Sequence, residues 1–243
     1  MLHKPVKVNQ LTVNDKSTGD FDFPIFVEKN DGFRVPKKKN LLYESDRATG
    51  AKKLPVNAWP PIPKTYVLYC PTATLQDLRG IKLWASDDGK LIAADEPDVF
   101  YEIIDVDFEH SPLDDIAGYR IVVTFVVQPF GYELGQQTKT YQNGDTITNH
   151  TNAPMYPRIT VYGEANDTTL LTIGDQTVAL KRIQNKLVIE NKPLEQNVFT
   201  GSGDFANSWM RGGFFEIPAN TTVTVSFDEA ISKIDVLERW GWR

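Results

Sequence analysis

The sequence predicts a mainly β protein built from two β domains. Three observations carry this. Short β-prone runs recur along the chain with turn residues between them. Only one stretch has good helical spacing. The texture also changes after Tyr132, where a polar, turn-rich connector precedes a second series of strands. The boundaries read from this are a first domain over residues 1–132, a linker over 133–151 and a second domain over 152–243. The last strand is left free to return toward the first domain. With 243 residues the chain can bury two cores.

In order, Phe21-Asp22-Phe23-Pro24-Ile25-Phe26-Val27 reads as a strand with a proline interruption, hence an edge or a bend. Pro36-Lys37-Lys38-Lys39-Asn40 reads as a basic loop. Trp59-Pro60-Pro61-Ile62-Pro63 is extended, because proline fixes its own φ and restricts its predecessor. It forms either a long ordered loop or an arm lying on a neighbour. Residues 66–70 are β-like. Thr74 caps a short helix through about residue 83, with Leu75, Leu78 and Leu83 on one face. Ser86-Asp87-Asp88-Gly89-Lys90 turns the chain into the run at 91–93.

Residues 100–108 alternate. Ile104, Val106 and Phe108 fall on one face, and Asp105, Asp107 and Glu109 on the other. The run at 121–127 is apolar on both faces, which predicts a central strand covered on both sides. Past the connector, short runs at 159–162, 170–173, 177–180, 187–190, 214–217, 223–227 and 234–237 predict a sandwich or jelly roll.

Hydrophobic residues make up 41% and charged residues 24%, ordinary for a folded protein. No apolar run approaches the ~20 residues that span a bilayer. Residues 1–5 lack the apolar core of a secretory signal, which fits folding in the cytoplasm. The net charge of −6 argues against tight binding to phosphate backbones. Residues 1–64 balance at +5, residues 65–135 at −9 and the remainder at −2. That gradient reads either as surface scatter or as two faces that meet head to tail between copies.

Reactive chemistry is sparse. Cys70 is the single cysteine, so no internal disulfide can form, and its β-like context predicts a buried, inert thiol. His3, His110 and His150 have no metal-ligand spacing. Asp87-Asp88-Gly89 lacks the ligand spacing of a calcium loop. No phosphate loop, nucleophile elbow or zinc-protease motif occurs. No catalytic residue, metal or cofactor is predicted. Trp209, Trp240 and Trp242 suit core packing or subunit contact more than a sugar platform. Gly201-Ser202-Gly203-Asp204 reads as a loop that offers a docking edge.

Four motifs give the chain a family resemblance. They are Val123-Thr124-Phe125-Val126-Val127-Gln128-Pro129-Phe130-Gly131-Tyr132, the stretch from Asn152 through Gly163, Arg211-Gly212-Gly213-Phe214-Phe215-Glu216-Ile217-Pro218 with its continuation to Val223, and Glu238-Arg239-Trp240-Gly241-Trp242-Arg243. In this order they resemble the distal tail protein (Dit) family of long-tailed bacteriophages (siphoviruses) of Gram-positive hosts. The series covers residues 65–243. Residues 1–64 do not match, and Ala219 stands where the family usually has glycine.

The resemblance implies an N-terminal β-sandwich-like ring domain with one short helix and a C-terminal galectin-like β-sandwich. It implies a non-enzymatic virion component of the tail tip or baseplate, assembled in the host cytoplasm. Six copies would form a ring that joins the major tail (tube) protein to a tail-associated fibre or lysin protein. Receptor-binding or baseplate proteins would mount on it, and DNA would transit its channel without specific binding. Asp95, Glu96, Asp98, Asp105, Asp107 and Glu109 then become candidates for the channel or protomer contact. Lys37, Lys38, Lys39, Trp59, Trp209, Trp240 and Trp242 become candidates for protomer contact or docking. The alternatives are a two-domain carbohydrate-binding protein for host cell-wall glycans and a glycan hydrolase with a β accessory domain.

Overall fold

The computed structural model describes residues 9–30, 35–44, 49–56, 58–114 and 117–243. Residues 1–5, and His3 with them, lie outside the described residues. The protein is mainly β and divides into two compact units, Met1–Leu134 with Arg243, and Gly135–Trp242.

The first unit contains β1 (Thr12–Val13), β2 (Lys16–Ser17), β3 (Phe26–Asn30), β4 (Asn40–Glu44), β5 (Ala51–Pro55), β6 (Ile62–Cys70), α1 (Leu75–Trp84), β7 (Gly89–Ala93), β8 (Glu96–Pro112), β9 (Tyr119–Val127) and β10 (Gly131–Glu133). One antiparallel sheet runs β2-β1-β7-β8-β9-β6-β3, with β10 against β8. β4 and β5 form a separate hairpin.

β9 is central, as its apolar run predicts, but it is fully covered on one face only. Ile121, Val123, Phe125 and Val127 are wholly buried, while Val122, Thr124 and Val126 are half-buried. The inward face packs on α1. There the structure corrects the expected helix face: Leu78, Ile81 and Trp84 are buried, and Leu75 and Leu83 are exposed. The i, i+3 spacing of the buried three sets the stripe. Leu83 lies on the far side, 82% exposed.

A second correction concerns β8. The register with β9 slips between Ile103 and Asp105, so Ile104 is the extra residue of a bulge and points to solvent. Val106 and Phe108 remain on the inward side, and Asp105, Asp107 and Glu109 on the outward side.

The second unit contains β11 (Thr138–Tyr141), β12 (Thr146–Asn149), β13 (Arg158–Ala165), β14 (Thr169–Ile173), β15 (Gln176–Leu180), β16 (Ile183–Glu190), β17 (Asn197–Thr200), β18 (Met210–Arg211), β19 (Thr221–Phe227), β20 (Ile231–Leu237) and β21 (Gly241–Trp242). Two five-stranded sheets, β11-β20-β13-β16-β17 and β12-β19-β14-β15-β18, enclose one core that includes Ile159, Leu171, Leu187, Phe215 and Val225. This is a β-sandwich. The stretch read as a linker supplies β11 and β12, the edge strands of the two sheets. Its polar texture follows from that position, since only Tyr141, Ile147 and Asn149 need to face inward. The run at 214–217 is not a strand but an extended segment held by one bridge, Met155 with Ile217.

Candidate docking and channel surfaces

The outward face of the first unit's sheet is an acid-bordered surface. Cross-strand partners share a face, so register places Asp105 beside Val126, Asp107 beside Thr124 and Glu109 beside Val122. One strand further, Thr65 and Val67 flank Thr124 and Val122. The Thr65 and Thr124 hydroxyls meet at 3.0 Å. At the far end Arg120 donates to both oxygens of Glu28, at 3.0 and 3.1 Å. Asp105, Asp107 and Glu109 are exposed and form an evenly spaced ladder. Past Ile103, β8 pairs only with β9 among the described residues, and β3 pairs only with β6. Among the described residues the sheet section β3-β6-β9-β8 therefore has two open edges.

Asp95 and Glu96 do not belong to that ladder. The two-residue turn at 94–95 joins β7 to β8 and aims both carboxylates at Lys64, whose side chain is wholly buried. Lys64 Nζ pairs with Glu96 and lies 3.6 Å from Asp95 Oδ2. The Tyr101 hydroxyl donates to both Glu96 oxygens at 2.8 and 2.9 Å, and the Tyr66 hydroxyl donates to Asp95 Oδ1 at 2.9 Å. Burial first, and then these carboxylates, pushes both phenols far above their ordinary range. Among the six acidic candidates these two are thus removed from the surface by burial and pairing. Asp98 stays exposed on β8.

Lys37, Lys38 and Lys39 lie on an exposed loop, and the Lys38 ammonium sits 4.9 Å from the centre of the Trp59 ring. Trp59 is half-buried against Phe130 in an edge-on contact with centroids 5.2 Å apart. The β4–β5 hairpin exposes Leu41, Leu42, Tyr43 and Leu54. Sequence reasoning missed this hairpin, because Lys52 and Lys53 break the apolar pattern of β5 and leave only Thr49-Gly50 as a turn signal.

In the second unit the family-like motifs meet one another. Met155 and Ile217 exchange backbone hydrogen bonds at 2.9 Å. Buried Asn149 donates to the carbonyls of Ala153, Ile217 and Pro218. Arg239 forks onto Glu190, with the second contact at 2.8 Å, and reaches the Tyr156 carbonyl at 3.4 Å. Burial pushes the Glu190 carboxyl up, but the Arg239 fork and the Lys192 N–H outweigh it and hold the group below its ordinary range. Tyr156 is pushed up to about 12 by burial and by Glu216.

Trp240 is a core residue, 8% exposed, with its ring tilted against His150, so it offers little surface for docking. Trp242 remains 39% exposed. Trp209 is half-buried beneath Arg182 and lines a shallow pocket of about 210 Å³ with Gln184, Asn185, Lys186, Thr200 and Ser202. The adjoining loop exposes Phe205, whose ring packs on Phe199 at 5.2 Å.

Among the described residues no three His, Cys, Asp or Glu side chains gather as metal ligands. Among them, too, no helix is long and apolar enough to cross a membrane. Cys70 is buried, and burial pushes its thiol up to about 11.

No family model matches the chain, and no curated protein matches it by sequence. Among solved structures, the crystal structure of phage SPP1 Dit (gp 19.1) aligns with a TM-score of 0.73 at 12% identity. The alignment covers 96% of this chain and 99% of that one. This chain has the Dit fold. The SPP1 Dit protein is described as a paradigm of the hub adsorption apparatus in Gram-positive infecting phages. Near-complete coverage of both chains means that the fold is shared across both units.

Proposed function

We propose that this chain is a structural hub of a phage tail tip: a non-enzymatic protein that assembles with copies of itself and joins the tail tube to the adsorption apparatus. The observation that carries the reading is the end-to-end likeness to SPP1 Dit. On this reading six copies form a ring. The tube protein seats on one face and a fibre or lysin protein on the other, and receptor-binding or baseplate proteins mount on the second unit. The first unit is the ring domain and the second a galectin-like sandwich. Assembly takes place in the host cytoplasm, and the finished location is the virion.

The sheet section β3-β6-β9-β8 supports a ring in a specific way. Among the described residues it has an open edge at each side, which suits head-to-tail pairing between copies, and such heterologous contacts close when the rotation allows. Its outward face carries Asp105, Asp107 and Glu109, which suits a lumen that repels phosphate. The β4–β5 hairpin, with its exposed Leu41, Leu42 and Tyr43, suits contact with another copy or with the tube.

The test is the mass and image of the purified full chain, alone and with its tube and fibre neighbours. A six-fold ring at six times 27.4 kDa is expected. Monomers under all these conditions overturn the reading. Binding to host wall glycans, lost on Trp209→Ala, would favour the carbohydrate-binding alternative.

A further inference from the structure

We propose that Lys64 and Asp95 condense into an intramolecular amide that staples β6 to the β7–β8 turn, with Glu96 as the proton carrier. The proposal does not rest on the hub reading, since it needs only the interior of the first unit.

Lys64 sits where the inward alternation of β6, Ile62-x-Lys64-x-Tyr66-x-Leu68, demands an apolar side chain. Its ammonium is instead packed with two carboxylates, both nearly excluded from solvent. Three charges in one buried pocket carry a heavy desolvation cost, and one ion pair offsets only part of it while a carboxylate remains in excess. Joining the ammonium to one carboxylate removes two of the three charges. The remaining carboxylate keeps the Tyr101 hydroxyl as its donor. Excluding water from the pocket also removes the reactant of the reverse reaction.

The contacts separate the roles. Glu96 touches Nζ directly, so it is placed to take a proton from it. Asp95 Oδ2 lies 3.6 Å from Nζ, which sets the carboxyl group beside the nitrogen that must reach its carbon. The Tyr66 hydroxyl donates to Asp95 Oδ1, where negative charge develops as the carbon becomes tetrahedral. The Tyr101 ring centre is 4.5 Å from Nζ. Gly131 lets that ring stay there: a Cβ at Gly131 would stand 2.8 Å from Val99 Cγ2 and 3.1 Å from Tyr101 Oη.

The step balances without any outside reactant. Nζ forms a bond to Cγ of Asp95, and the Cγ–Oδ2 bond breaks. Before the attack Glu96 passes one proton from Nζ to Oδ2, so that a neutral amine meets a carboxylic acid, and after the attack it carries the second nitrogen proton to the same oxygen, which leaves as water. An ammonium and a carboxylate become a neutral amide plus one water.

Mass spectrometry of the intact, denatured full chain tests this. The wild type is expected to weigh one water less than its sequence mass. Fragment ions should join Lys64 to Asp95, and trypsin should not cut after Lys64. Lys64→Met and Glu96→Gln should each restore the full sequence mass. A wild-type chain at full sequence mass after prolonged incubation overturns the proposal. Water loss that persists in Lys64→Met also overturns it, because a cyclic imide at Asp88-Gly89 would lose the same water without the lysine. If a variant fails to fold, the wild-type fragment map decides alone, and a join through any residue other than Asp95 refutes the assignment. A crosslinked Glu96→Gln refutes the role given to Glu96.

Discussion

At the scale of single residues, the ionisable groups that depart from ordinary behaviour serve packing. Cys70 lies at the inward end of β6 with its thiol pushed up to about 11, so little thiolate exists at neutral pH. A thiol reagent should leave it unmodified in the native protein and modify it fully in denaturant; rapid native labelling would contradict the burial. Arg239 and Glu190 make the opposite case, a pair whose charge is needed. Arg239→Ala leaves a nearly buried carboxylate without its fork and should cost about 2–3 kcal/mol in denaturant unfolding near neutral pH. The sign of the pH dependence follows from the depressed folded value of Glu190. The wild type holds this stability above the ordinary glutamate range and loses it as pH falls through the folded value. The gap between wild type and Arg239→Ala should therefore narrow in acid. A gap that widens in acid would mean that the fork does not hold the carboxylate charged.

Secondary-structure elements show which local signals decided the fold. Thr74 and Asp77 cap α1 reciprocally: the Asp77 carboxylate accepts from Thr74 N at 2.8 Å, and Asp77 N donates to Thr74 Oγ1 at 3.3 Å. Thr74→Ala should cost about 1 kcal/mol. Ile81→Ala, which empties a wholly buried site, should cost about 3 kcal/mol, and Leu83→Ala close to nothing. Equal losses at Ile81 and Leu83 would reject the observed helix face. Thr74 was legible as the cap because it stands directly before the helical run, while its partner Asp77, three residues on, was not read. The face was not legible, because three leucines gave no sign of which spacing met the sheet. β8 misled at one residue, since a bulge is a register event between two strands and leaves no mark in one of them. Lys64 escaped notice for a related reason: the alternation of β6 extends back through it, but Pro61 and Pro63 mask the strand's start. The motifs around Pro154 and Pro218 were legible as a series, and the Met155–Ile217 bridge explains why they occur together. Gly163 ends its motif because the chain entering β20 passes so close that a Cβ there would stand 2.1 Å from the Ala230 carbonyl oxygen.

For the whole molecule the question is how a tail-tip hub works through its surfaces. The hub reading answers through symmetry: a surface of little consequence on one copy becomes a wall when several copies repeat it around an axis. Asp105, Asp107 and Glu109 stand evenly along one strand, and six repeats would bring eighteen such carboxylates to the lumen. Double-stranded DNA binds where cations replace its counterions, so an acidic wall leaves it free to slide. Replacing all three with lysine reverses the wall's sign without touching the inward face of β8, so folding should be retained. The assembled wild-type ring should not retain duplex DNA in a gel-shift assay at moderate salt. The triple-lysine ring should retain it, with binding that weakens steeply as salt rises. Phage carrying the variant should adsorb normally yet eject their genomes slowly. If the variant ring forms but neither binds DNA nor slows ejection, the ladder does not face the channel, and the outward side of β8 must instead be sought at a contact between copies.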